Sequence, residues 1–233
     1  KNTQGKVVVE KDTLLETKAT DQEGRLTFES DLWHGHYYVK EDQHLPGYLP
    51  NDEIWEIDAT YEDQNLPAIL LEKEVENQPT ESYFTKTDIV TGEPVEGAKL
   101  QILDEEGTVV REWITTKEEH LEYALPAGNY ILHEELPPLE DGYVSAEDVS
   151  FEVKEDGTIT KVEMKDDFSK VDISKTDITG DTELVGVKLQ VLNSKEEVLD
   201  EWISDGTEHP IEYLPVGEEL TLRETQTISG YTL

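Results

Sequence analysis

Short runs in which apolar and polar residues alternate fill the chain, cut at close intervals by Gly, Pro, Asn and Asp, as in DEEG (104–107), LPAG (125–128) and EDG (140–142 and again 155–157). β-branched and aromatic residues populate the runs, and no helical period is sustained anywhere, so the pattern predicts an all-β chain of short strands joined by tight turns. Side chains two apart in a strand share a face. On several of these faces the apolar phase ends on a charge: Val162, Met164, Asp166; Tyr130, Leu132, Glu134; Val171, Ile173, Lys175; Tyr37, Val39, Glu41; Leu220, Leu222, Glu224. An unpaired charge on a buried face costs several kcal/mol or shifts its pKa until it is neutral, so these positions require an explanation.

The runs recur in longer blocks. FTKTDIVTGEPVEGAKLQILD (84–104) reappears as ISKTDITGDTELVGVKLQVLN (173–193), VVREWIT (109–115) as VLDEWIS (198–204), and LPAGNYILHEELPPLEDGY (125–143) as LPVGEELTLRETQTISGY (214–231). An earlier copy without its head reads LWHGHYYVKEDQHLPGY (32–48). The spacings from Lys86 to Lys175, from Glu41 to Glu134 and from Glu134 to Glu224 give a period of about ninety residues, well above solenoid repeats and the size of a whole β-sandwich domain. The expected organisation is a tandem of immunoglobulin-like sandwiches. Residues 1–80 form a unit lacking its first strand, 81–168 a complete unit, and 169–233 a unit lacking its last strands. The linkers QPTES (78–82) and DFSK (167–170) are short enough to limit bending between neighbours.

Net charge is −36, from 55 acids against 19 bases, which disfavours a nucleic-acid partner because the phosphate backbone would be repelled. The acids are spread among strands and turns and read as a solvated outer face. They show no EF-hand spacing, and the chain carries no membrane-length apolar run and no secretory signal at Lys1. Cysteine is absent, which excludes disulfides and thiolate metal sites. His34 and His36 flank a turn glycine, with His44 nearby, and read as scattered surface histidines, so no metal is expected. Trp113 and Trp202 occupy the same repeat position and, with Trp33 and Trp55, read as core residues. GxSxG, HExxH, P-loop and GxGxxG motifs are all missing, so turnover of an outside substrate has no machinery and no cofactor is implied.

The middle unit offers three inward-pointing ionisable groups: Lys86 on its first strand, Glu134 late, and Asp166 on its last. Taken singly, each is most simply a buried ion-pair partner or a strand end where charge escapes to solvent. Together they allow a reaction. A lysine amine and a carboxyl held in contact in an apolar core both become neutral by desolvation, and a second carboxyl can shuttle the protons. At high effective concentration the amine attacks the carbonyl and a side-chain amide forms, with loss of water from Asp or ammonia from Asn.

KTDI followed by a TG turn and GAKLQ, the LPAG turn, and a strand ending in His-Glu or Arg-Glu before GY resemble the Cna B-type (SpaA-like) domains of Gram-positive surface adhesins and pilins, over nearly the whole chain. The resemblance implies a prealbumin-like β-sandwich with an autocatalytic intramolecular isopeptide bond from a first-strand lysine to a last-strand Asn or Asp, assisted by a Glu. Carried onto this sequence, it makes Lys86 the nucleophile, Asp166 the acceptor and Glu134 the catalytic acid. In the third unit it points to Lys175 and Glu224, and in the first to Glu41 and Asn77, each set with a partner outside the chain. HEEL (133–136) departs from the usual Glu-Thr pair, kept as RET in 223–225, and Asp166 stands where Asn is commoner. Asp167, next to it, has an outward phase.

The resulting expectation is a structural stalk segment of an extracellular, cell wall-anchored protein of a Gram-positive bacterium, in series with tandem neighbours. A host extracellular-matrix or cell-surface ligand would be met through other parts of the full protein. The alternatives are a ligand-binding adhesin module, or accessory domains of a secreted enzyme.

Overall fold

In a computed structural model of the chain, residues 9–30, 32–59, 72–180 and 182–232 are described. The alternation that predicts strands is realised most fully in the middle repeat. There β3 (Glu81–Asp88) buries every second residue, Ser82, Phe84, Lys86 and Asp88, while the residues between them are only partly covered. It is followed by β4 (Lys99–Leu103), β5 (Val109–Ile114), β6 (His120–Tyr123), β7 (Gly128–Leu136), a single 3₁₀ turn at Leu139–Asp141, β8 (Val149–Val153) and β9 (Thr160–Asp166).

These strands form two sheets, in the orders β6-β3-β9 and β5-β4-β7-β8. Phe84, Leu100, Ile102, Leu125, Tyr130, Leu132, Val153, Val162 and Met164 fill the core contributed by both sheets. All pairs are antiparallel except β3 with β9, which run parallel and place Lys86 opposite Met164 and Asp88 opposite Asp166. Parallel neighbours need a long crossover, and here the crossover is the whole remainder of the repeat, so its first and last strands lie side by side.

The described residues divide into two compact units. One comprises the described residues among 1–43 and 51–76, in which β1 (Gly35–Lys40) pairs with β2 (Ile54–Ala59) and Trp55 is buried. The other comprises 44–50 and 77–233 and contains the middle and third repeats. The third repeat has β10 (Lys170–Ile173) paired with β13 (His209–Glu212), and β11 (Val185–Leu192) between β12 (Val198–Asp205) and β14 (Thr221–Gln226). Strand β10 has no counterpart of β9 beside it among the described residues. That leaves Val171, expected on a buried face, 39% exposed, and β10 ends at Ile173, short of Lys175.

The tryptophans divide. Trp55 is core, whereas Trp113 and Trp202 are half-buried and stack on His120 and His209 at ring separations of 4.1 and 4.2 Å. Trp33, expected in the core, is 61% exposed because it stands ahead of β1 rather than in it. Among the described residues no helix is long and apolar enough to cross a membrane, and no group of His, Asp and Glu is arranged to hold a metal ion.

Candidate functional site

Three strands from two sheets aim charges into the middle core. Lys86 lies on the Phe84 face of β3, Glu134 on the Tyr130–Leu132 face of β7, and Asp166 on the Val162–Met164 face of β9. Because β3 and β9 are parallel neighbours and β7 belongs to the facing sheet, the strand phases point the three side chains into one core, and the β3–β9 register sets Lys86 and Asp166 at adjacent levels of it. They meet at one point. Lys86 Nζ is 2.9 Å from Glu134 Oε1 and in contact with Asp166 Oδ1, and all three side chains are at most 1% exposed.

Glu134 is held from its other oxygen, Oε2, which accepts the backbone N–H of Ala146 at 2.7 Å. Lys86 Nζ and Asp166 form a buried ion-pair contact, and no other group among the described residues donates a hydrogen bond to either Asp166 oxygen. The carboxyl is therefore incompletely satisfied for a buried salt bridge. Burial, the largest influence, pushes the Asp166 carboxyl up to about 6 despite the Lys86 charge, and the Glu134 carboxylate adds to the rise.

The remaining candidates are placed differently. Lys175 Nζ and Glu224 Oε2 are 3.2 Å apart, but their side chains are 30% and 21% exposed, and Leu222 on the same strand face is 51% exposed. Water reaches this pair because, among the described residues, no strand takes beside β10 the place that β9 takes beside β3. Glu41 is half-buried just after β1. Asn77 is half-buried in an irregular segment rather than a strand, with Val75 before it 41% exposed. Asp167 faces outward and pairs with Lys170 at 2.8 Å.

Asp88 is a buried acid that the alternation pattern did not single out, although it lies on the Lys86 face two residues further on. Its signal was the repetition of KTD at 86–88 and 175–177, which reads first as a turn former. Its Oδ1 accepts the backbone N–H groups of Val90 and Thr91 at 2.8 and 2.7 Å, and its Oδ2 accepts the Tyr213 hydroxyl at 2.7 Å. Burial pushes the Asp88 carboxyl up, but these hydrogen bonds outweigh it and hold the group at about 2.

A folded pKa below the unfolded value means that this stabilisation is present above about pH 4 and is lost as pH falls through about 2. It amounts to about 2 kcal/mol. In Asp88→Asn that acid loss should flatten, which denaturant titrations at pH 2 and pH 5 would show.

Fold and site together define a chain of prealbumin-like β-sandwich repeats, one of which encloses a lysine between two carboxyl groups. The model of the SpaA prealbumin-like fold domain matches residues 1–73, 81–167 and 169–233, and the chain belongs to that family. Among solved structures, the Bacillus anthracis TIE protein is similar at 28% identity and a TM-score of 0.50, over 83% of this chain and 37% of that one. The Streptococcal ancillary pilin matches at 19% identity and a TM-score of 0.40, over 87% and 69% of the two chains. The shaft pilin SpaA from Lactobacillus rhamnosus GG matches at 15% and 0.33, over 66% and 90%. No curated protein sequence matches the chain.

Proposed function

We propose that this chain is a load-bearing stalk segment of a bacterial surface protein, adhesin or pilin, whose middle repeat closes an isopeptide bond between Lys86 and Asp166. The observation that carries the reading is the dry contact of Lys86 Nζ with a protonatable Asp166 carboxyl beside Glu134. Membership of the SpaA prealbumin-like domain family supports the stalk role and an extracellular location.

The reaction needs the unprotonated amine and the protonated acid. Lys86 Nζ attacks Asp166 Cγ and the C–N bond forms. Glu134 takes a proton from the nitrogen and delivers it to the departing hydroxyl. The Cγ–O bond breaks, and one water leaves. No outside reactant enters. The rigid strand pair supplies the orientation, the term worth most in joining two held groups.

Glu134 moves protons without entering the bond itself, and the apolar core around it stays intact, so Glu134→Ala should leave a folded, somewhat less stable repeat whose mass retains the water, while Asp167→Asn, altered on the outward face, should close normally. Intact mass spectrometry of both variants tests the assignment. A Glu134→Ala chain that still loses water would remove Glu134 from the mechanism.

A further inference from the structure

The junction between the middle and third repeats is built from parts that occur twice. At Gly142 the chain takes a left-handed turn, φ +84°, so close to the next repeat that a Cβ there would lie 2.3 Å from the Tyr213 carbonyl carbon. Ser169 N–H donates to Gly142 O at 2.8 Å, Ser169 Oγ to Leu214 O at 2.7 Å, and Tyr213 N–H to Ser169 O at 3.1 Å.

The segment 44–50 sits on the middle repeat in the same way. Gly47, φ +86°, would place a Cβ 2.3 Å from Ala124 O. Thr80 N–H donates to Gly47 O at 2.8 Å, Thr80 Oγ1 to Leu125 O at 2.6 Å, and Ala124 N–H to Thr80 O at 3.0 Å. Ala124 and Tyr213 hold corresponding positions, each with positive φ and each followed by Leu-Pro.

The two copies differ in that side chain. Ala124 brings only a methyl group, whereas Tyr213 reaches from the third repeat into the middle one, stacks on Phe168 at 4.0 Å, meets Tyr143 edge-on at 5.7 Å and donates its hydroxyl to the buried Asp88. Asp88 is the register partner of Asp166, and Ile89 N–H, one residue on, donates to Asp166 O at 2.9 Å. The end of β3 that carries Lys86 is thus tied to the end of β9 that carries Asp166, and Tyr213 holds that tie from outside the repeat.

We infer that Tyr213 is a positioning residue for the middle repeat's cross-link, so that docking of the third repeat completes the wall and fixes the strand register in which Lys86 meets Asp166. The inference rests on the cross-link reading above. Its physical basis is the steep dependence of an intramolecular attack on sub-ångström placement. The ionisable groups facing Asp88 are Tyr213, Tyr143, Asp166 and Asp167. Of these only the Tyr213 hydroxyl is altered by Tyr213→Phe.

The test is cell-free synthesis of the full 1–233 chain as wild type, Tyr213→Phe and Asp88→Asn, quenched at intervals and read by intact mass. Both variants should lose water about tenfold more slowly than wild type, the effect expected for one hydrogen bond to a charged group. In Tyr213→Phe the Asp88 carboxyl, followed by NMR titration, should rise from about 2 towards the ordinary carboxylate range. Wild-type closure rates in both variants would overturn the inference, as would an Asp88 titration unchanged in Tyr213→Phe. A wild-type chain that never loses water would overturn the cross-link itself, while the Asp88 titration would still report whether Tyr213 latches that carboxyl.

Discussion

Lys86→Ala should restore one water to the mass of the 1–233 chain and lower the melting temperature of the middle repeat by on the order of 20–30 °C. The magnitude follows from chain entropy. A link from Lys86 to Asp166 closes a loop of about 80 residues, and the disulfide formula applied to that loop gives roughly 4–5 kcal/mol taken from the unfolded state. A domain of this size shifts by about 4–8 °C per kcal/mol. The substitution also removes a buried amine and leaves Glu134 and Asp166 facing each other, a repulsion relieved by protonating one of them. In wild type, a peptide map should show one branched pair joining the segments around Lys86 and Asp166. Calorimetry of both chains, with intact mass on the same samples, checks the prediction. A wild-type chain of full mass that melts with the variant would show the pair to be an ordinary buried ion pair.

The second large effect is mechanical. Pulled from its two ends, the wild-type middle repeat should give no unfolding step, whereas Lys86→Ala should lengthen by about 270 Å when it yields, the contour of some 80 residues at 3.3–3.6 Å each. Load enters along β3 and leaves along β9. With the bond closed it crosses from Lys86 to Asp166 without passing through the sheets between them. Single-molecule force spectroscopy on the two chains separates the cases, and an extension step of that size in wild type would contradict a closed bond.

Much of this site was legible because a strand has a period of two. Once Phe84, Tyr130, Leu132, Val162 and Met164 are read as inward, Lys86, Glu134 and Asp166 must point inward too, and the structure buries all three. What the alternation could not supply is cover from neighbouring strands. Lys175 and Glu224 share the pattern yet remain partly wet, since burial of a phase depends on what lies beside and above it. Trp33 carries a core residue's chemistry at a position before its strand begins, and stays exposed.

Asp88 and Tyr213 were hidden for different reasons. An acid ahead of a Thr-Gly turn has an adequate local purpose, and here it serves that purpose as well, through the N–H groups of Val90 and Thr91. Tyr213 stands 125 residues from its partner, at a position where the other copy has alanine, so neither proximity nor repetition marked it.

A bond joining β3 to β9 would have one more consequence, for passage of the chain through narrow openings. Once closed at Lys86 and Asp166, the polypeptide is no longer a line but a ring with two tails. A pore that admits one extended strand at a time, whether of an export channel or of an unfolding protease, would have to take in two limbs abreast from residue 86 onward. A chain that formed this bond would have to do so after any such passage, and the same branch point would then obstruct degradation by any machine that feeds on a single thread.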